Sequence, residues 1–275
     1  MSRPLIVALV AIVALAGVAY GGWRAYQSVT RQFTPEVCSV ALADGGFTSL
    51  SAEQARNASI IVGASIERGL PERAAVVALA TAYQESDIRN LDYGDRDSLG
   101  LFQQRPSYGW GTEEQIMDPW YSSHRFYEEL VKFTDWESVD VNDMAQKVQR
   151  SGFPEAYRKH EAKASAVAAA LRGSAPETLA CLSFQEDPAA DAAAFEKVVA
   201  VWGNQVTMSV DGASVTLTAA NQDALWSAAQ LAIANSYEAG ITSATVGGRE
   251  WAADAEGWHD ASSPAPAGTA VLTLG

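Results

Sequence analysis

Ala80-Thr81-Ala82-Tyr83-Gln84-Glu85-Ser86, followed by Asn90 and then by Ser98-Leu99-Gly100-Leu101-Phe102-Gln103-Gln104-Arg105-Pro106, is the stretch on which the reading turns. Its first part ends a segment, Ala74 to Tyr83, that is apolar nearly all round, and Pro71 and Glu72 ahead of it suit a helix start. A helix apolar on every side is a buried one. Glu85 closes it and, on a 3.6-residue period, shares a face with Ala78, Thr81 and Ala82. Its carboxyl therefore lies along a mostly apolar wall, where it resists ionisation and can hand over a proton near neutral pH. The second part sits among Gly, Asp and Ser, a composition of turns. Its centre, Leu99-Gly100-Leu101-Phe102, predicts a small hairpin or irregular β segment.

Helical periodicity continues on both sides. Ser51 and Gln54 have the spacing of a capping box, and Ala55, Ala58, Ile61, Val62 and Ile66 recur on one face up to Gly69. Further helices are predicted over Pro119–Phe133, Val141–Arg150 and Pro154–Leu171, so residues 46–173 read as a mainly α domain with a small β insertion. Residues 174–194 turn to Ser, Pro, Ala and Asp and read as a linker containing Cys181. Residues 195–275 then read as a small C-terminal α+β domain. In it, Val206–Val210 and Ala213–Leu217 flank the hairpin signal Asp211-Gly212, a helix follows over Asn221–Ala239, and strands follow at Ile241–Val246 and Thr269–Leu274. Trp251 and Trp258 are expected to fill the core of that small unit.

The chain has 275 residues, enough for one or two domains, with 19 Lys and Arg against 33 Asp and Glu, a net charge of −14. A field of that sign repels phosphate backbones, which argues against nucleic acid as a partner. One stretch, Pro4 to Tyr20, is uncharged and apolar, with Arg3 before it and Arg24 and Trp23 after it. Residues 1–23 are therefore expected to be a membrane anchor or signal segment and 24–45 a linker. The protein is then single-pass at the cell membrane with its domains outside the cytoplasm, or secreted if the segment is cut. An even pair of cysteines, Cys38 and Cys181, suits a disulfide in an oxidising compartment, two unpaired buried cysteines being the other reading.

The ordered pair Glu85-Ser86 and Gly100-Leu101-Phe102-Gln103 resembles the lysozyme-like superfamily, in particular its lytic transglycosylases, which carry a Glu-Ser pair at a helix end followed by a Gly-Leu-x-Gln segment. The likeness covers roughly residues 48–172. The run from Asn90 to Pro106 looks more narrowly like that of exported actinobacterial proteins of this superfamily. The resemblance implies a lysozyme-like domain that cleaves the glycan strands of peptidoglycan, with Glu85 as the single catalytic acid and then base. It requires no cofactor. The rival expectation is a non-catalytic wall-binding or scaffold protein that keeps the fold.

A glycan cleft needs flat apolar faces and neutral hydrogen-bonding groups. Tyr108, Trp110, Trp120 and Tyr121 are candidates for the first, Trp110 between two glycines foremost, and Ser86, Gln103, Gln104 and Gln149 for the second. Transglycosylases usually line the cleft with an Ala-Tyr-Asn-Ala-Gly segment. Here Gln149 and Ser151 stand in that order along the chain, and Tyr157 is positioned to supply the missing hydroxyl. Asp92, Asp95 and Asp97 are the candidates for a second carboxylate, although such residues among Gly and Ser more often build turns. No metal site is expected: the loop has Gln103 where a calcium loop needs its final Glu, and His124, His160 and His259 are far apart.

Overall fold

The structure is a computed structural model and describes residue 12, residues 15–26, residue 34 and residues 36–275 apart from 151–154, 186–187 and 256. Helix α1 covers 15–26 and belongs to a first unit, Met1–Glu36; every element named below belongs to a second, Val37–Gly275. Among the described residues no helix is long and apolar enough to cross a membrane. Residues 1–11 and 13–14, most of the expected anchor, lie outside them.

The second unit runs β1 (Cys38–Ala41), β2 (Phe47–Leu50), α2 (Ala52–Glu67), α3 (Glu72–Ser86), α4 (Glu113–Met117), α5 (Pro119–Leu130), α6 (Val141–Gln149) and α7 (Glu161–Arg172). After these come β3 (Leu179–Cys181), α8 (Ala193–Ala200), β4 (Val206–Asp211), β5 (Ser214–Ala219), α9 (Gln222–Ile233), α10 (Ser236–Ala239), β6 (Ile241–Val246), β7 (Arg249–Ala252), β8 (Trp258–Asp260) and β9 (Thr269–Leu274). The fold is mixed, a helical part with two antiparallel sheets, one ordered β2-β1-β3 and the other β4-β5-β9-β6-β7-β8. The first sheet draws β1 and β3 from segments 24–45 and 174–194, which read as connections because each strand is only three or four residues long.

Local chemistry sets the helix starts. The capping box forms at Ser51 and Gln54, and a second forms at Thr112 and Gln115. Pro71 is the residue before α3 rather than its first member, and its extended backbone leads into Glu72. The β insertion reduces to one bridge, in which Leu99 and Gln104 exchange N–H···O bonds of 2.9 and 3.0 Å. The helix expected from Pro154 begins only at Glu161, after a 3-10 turn at Arg158–His160. The diversion has a cause: the N–H groups of Tyr157 and Arg158 donate to Asn142 Oδ1 at 3.2 and 3.0 Å, which ties this segment to α6. The helix expected over Asn221–Ala239 likewise breaks at Asn235, whose Nδ2 reaches Ser59 Oγ on α2 at 3.0 Å.

One apolar core runs from α2 and α3 through α7 and α9 to the larger sheet. Buried polar groups register this join. Gln230 on α9 donates to Ala170 O at 2.7 Å and accepts from Leu179 N at 3.0 Å, while Ser227 Oγ donates to Leu171 O at 2.6 Å. Cys38 and Cys181, directly paired in the β1–β3 register, form a disulfide. Trp251 is fully buried and donates its indole N–H to Cys181 O, and Trp258 donates to Leu179 O, so both indoles hold the larger sheet against β3.

Candidate active site

Helix α3 is largely buried, and Glu85 lies in its last turn. The helix stops sharply because Asp87 and Ile88 both take left-handed backbone, φ 55° and 56°, and their N–H groups turn back to Tyr83 O and Ala82 O. A β-branched residue rarely accepts that conformation. It is held there by burial of Ile88 and by Asn57 Nδ2, which donates to Ile88 O at 2.9 Å. Ser86, one residue past Glu85, donates to Leu101 O at 2.7 Å and pins the following loop against the helix end.

Glu85 opens on a cleft of about 450 Å³. The loop supplies Asp95, Ser98, Gln103, Arg105, Tyr108 and Trp110; α5 supplies Arg125 and Glu129; and the end of α6 supplies Val148, Gln149 and Arg150. The Glu85 carboxyl is mostly buried, which pushes its pKa above the ordinary glutamate value even though hydrogen bonds from Tyr157 and Gln149 pull the other way. Tyr157 Oη donates to Glu85 Oε1 at 2.7 Å. Gln149 also donates to Phe102 O at 2.7 Å, so one amide spans the carboxyl and the loop.

The other carboxyls nearby are arranged differently. Burial pushes Glu129 up, but Lys132 and Arg125 outweigh it and hold the group below its usual range. Asp97 receives the Ser107 hydroxyl, the Ser107 N–H at 2.8 Å and Arg105 Nε at 2.7 Å, which place it far below the ordinary aspartate value. Its work is in the loop: Arg105, fixed by Asp97, lies 4.4 Å from the centre of the exposed Tyr108 ring. Among the described residues no cluster of three His, Cys, Asp or Glu side chains could hold a metal ion.

No protein-family model matches the sequence, and no curated protein matches it.

Of the residues singled out from sequence, the cleft brings together Glu85, Asp95, Gln103, Tyr108, Trp110 and Gln149, with Tyr157 behind the carboxyl. Gln103 uses its Nε2 on Tyr93 O at 3.2 Å, and its Oε1 occupies the space a side chain at position 94 would take, which is why a glycine stands there. Four expected ligand-facing residues lie elsewhere. Ser86 is 4% exposed and serves the loop, and Gln104 is 1% exposed and donates to Ser122 O at 3.1 Å. Tyr121 packs under Gly111, where a Cβ would come within 2.7 Å of its hydroxyl. Trp120 meets Lys197 and His124 instead of the cleft. Arg125, Glu129 and Arg150 were not anticipated. Arg125 and Glu129 are an i, i+4 pair that reads in sequence as a solvated helix face, and only the 5.8 Å approach of Arg125 to the Trp110 ring puts that face in the cleft.

Proposed function

We propose that this protein cleaves the glycan strands of peptidoglycan through a lysozyme-like domain, with Glu85 as its single acid and base. The observation that carries the reading is the Glu85 carboxyl itself: mostly buried at the end of α3, raised in pKa, opening on a polar cleft and held by Tyr157 and Gln149. A carboxyl whose pKa is raised holds its proton more tightly than an exposed one and can donate it to the glycosidic oxygen as the C–O bond breaks. The sugar then carries oxocarbenium character, and the Glu85 carboxylate left behind withdraws a proton from the attacking hydroxyl. Attack by a hydroxyl of the same sugar leaves an anhydro end, and attack by water leaves a reducing end. The Tyr157 hydroxyl stabilises the carboxylate between the two steps, and Gln149 keeps it aimed into the cleft.

Substrate recognition in this reading is local. With a net charge of −14 the chain gives no long-range attraction to an anionic wall, and Tyr108 and Trp110 offer ring faces at short range. The test is to incubate the full chain and its Glu85→Gln variant with purified sacculi and to analyse the released material by mass spectrometry. Release by the wild type alone supports the reading, and the end group names the attacker. Equal release from both proteins, or release from neither, removes the catalytic role of Glu85 and leaves glycan binding as the activity to measure.

A further inference from the structure

The side chain that orients Tyr157 belongs to α6. Asn142 lies in the first turn of that helix, is fully buried, and accepts the N–H groups of both Tyr157 and Arg158 on its Oδ1. Its orientation is fixed by its partners: two donors at one end require the oxygen there, and the Nδ2 at the other end donates to Asp143 Oδ1 at 3.1 Å. Asp140, the cap of the same helix, pairs with Arg158 at 3.2 Å. Tyr157 sits between α6 and α7, before the regular helix begins, so helical geometry does not set the direction of its ring.

From this arrangement we propose that Asn142 is a positioning residue for Glu85, acting through Tyr157. Helix α6 then governs both donors to the carboxyl, Gln149 from its C-terminal end directly and Tyr157 from its N-terminal end through Asn142. A movement of α6 against α3 would alter both contacts together. The inference rests on Glu85 being the working acid, but its geometry is testable without substrate.

The experiment follows the Glu85 carboxyl by carbon NMR in the full chain with glutamate side chains labelled, the signal being assigned with Glu85→Gln. Tyr157→Phe removes a hydrogen bond that favours the carboxylate, so the Glu85 titration moves upward. Asn142→Ala is expected to reproduce most of that movement, and the double variant to add nothing further. Should Asn142→Ala not fold, Asn142→Ser and amide exchange in the wild type carry the test, the Tyr157 and Arg158 amides being protected if the clamp exists. The proposal is overturned if Tyr157→Phe moves the titration and the Asn142 variants do not, if Tyr157→Phe moves nothing, or if both amides exchange like an exposed turn. If the titrations behave as expected while no fragment leaves sacculi, the positioning role stands and the catalytic reading falls.

Discussion

Replacing Cys38 and Cys181 together by alanine is expected to remove about 5 kcal/mol of folding stability at 25 °C. The bridge joins positions 143 apart in sequence, so it closes almost the whole helical part into one loop. For a loop of that length the lost chain entropy, 2.1 + 1.5R ln n, is about 17 cal/mol/K, hence about 5 kcal/mol. The native side makes the loss no smaller: both cysteines are buried beneath the β1–β3 pair, and alanine leaves a small void there. Against a typical domain stability of about 5–15 kcal/mol, this is a third of the total or more. At this chain length it corresponds to a fall in Tm of about 10–20 °C. The assay is urea unfolding followed by tryptophan fluorescence, comparing the oxidised wild type with the double variant. Thiol titration of the denatured wild type should find no free sulfhydryl. A difference below about 1 kcal/mol would refute the reasoning, because it would mean that the bridge does not constrain the unfolded chain.

Burial raises the Glu85 carboxyl, so the folded state holds its proton more tightly than the unfolded chain; the resulting stability is complete below the ordinary glutamate pKa and is lost as pH rises through the raised folded value. Glu85→Gln cannot ionise and should be more stable than wild type at neutral pH, the two converging in acid. Denaturation midpoints across pH check this, and an advantage that persists in acid contradicts it. His160 stacks on Tyr83 and is pushed down to about 4 by burial and by Lys163 and Lys159. Its neutral form supports the fold above the ordinary histidine pKa, and that support is lost as pH falls through about 4; a ring NMR titration near the ordinary histidine value would contradict the packing. At Gly173, with φ +82°, an added Cβ would lie 1.9 Å from Asp223 O at the start of α9, whereas at Gly69, with φ +65°, it would meet nothing within 4 Å. Gly173→Ala should therefore lower Tm clearly more than Gly69→Ala, which costs only about 1 kcal/mol of backbone strain, and equal effects would mean that α7 and α9 are not in contact.

Much of the architecture was legible because it is written in local periodicity. The all-round apolar run Ala74 to Tyr83 and the Ser51 capping box each report on residues within a few positions of one another, and each formed as read; the hairpin also formed, but with Asp211 paired to Ser214, so its turn is Gly212-Ala213, one residue later than the Asp211-Gly212 signal. Glu85 at the end of a buried helix was legible for the same reason, as was the turn composition that carries Tyr108 and Trp110 to the cleft.

What tertiary structure alone decided involves partners distant along the chain. The three- and four-residue strands β1 and β3 are too short to show an alternating pattern, and they exist because each finds the other across the disulfide. Residues 155–160 have helical composition, yet two of their N–H groups donate to Asn142, a contact that no periodicity reveals. Gln104 and Gln103 are neighbours of the same type, but one is buried against Ser122 and the other faces the cleft, because a single bridge at Leu99 sets the side on which each emerges. Side-chain type and spacing thus determined the longer helices, though not α4 or α8, and where an unusual carboxyl would sit. Packing between distant segments determined which groups touch that carboxyl, since a hydrogen bond such as Tyr157 to Glu85 depends on distance in space and not on separation in sequence.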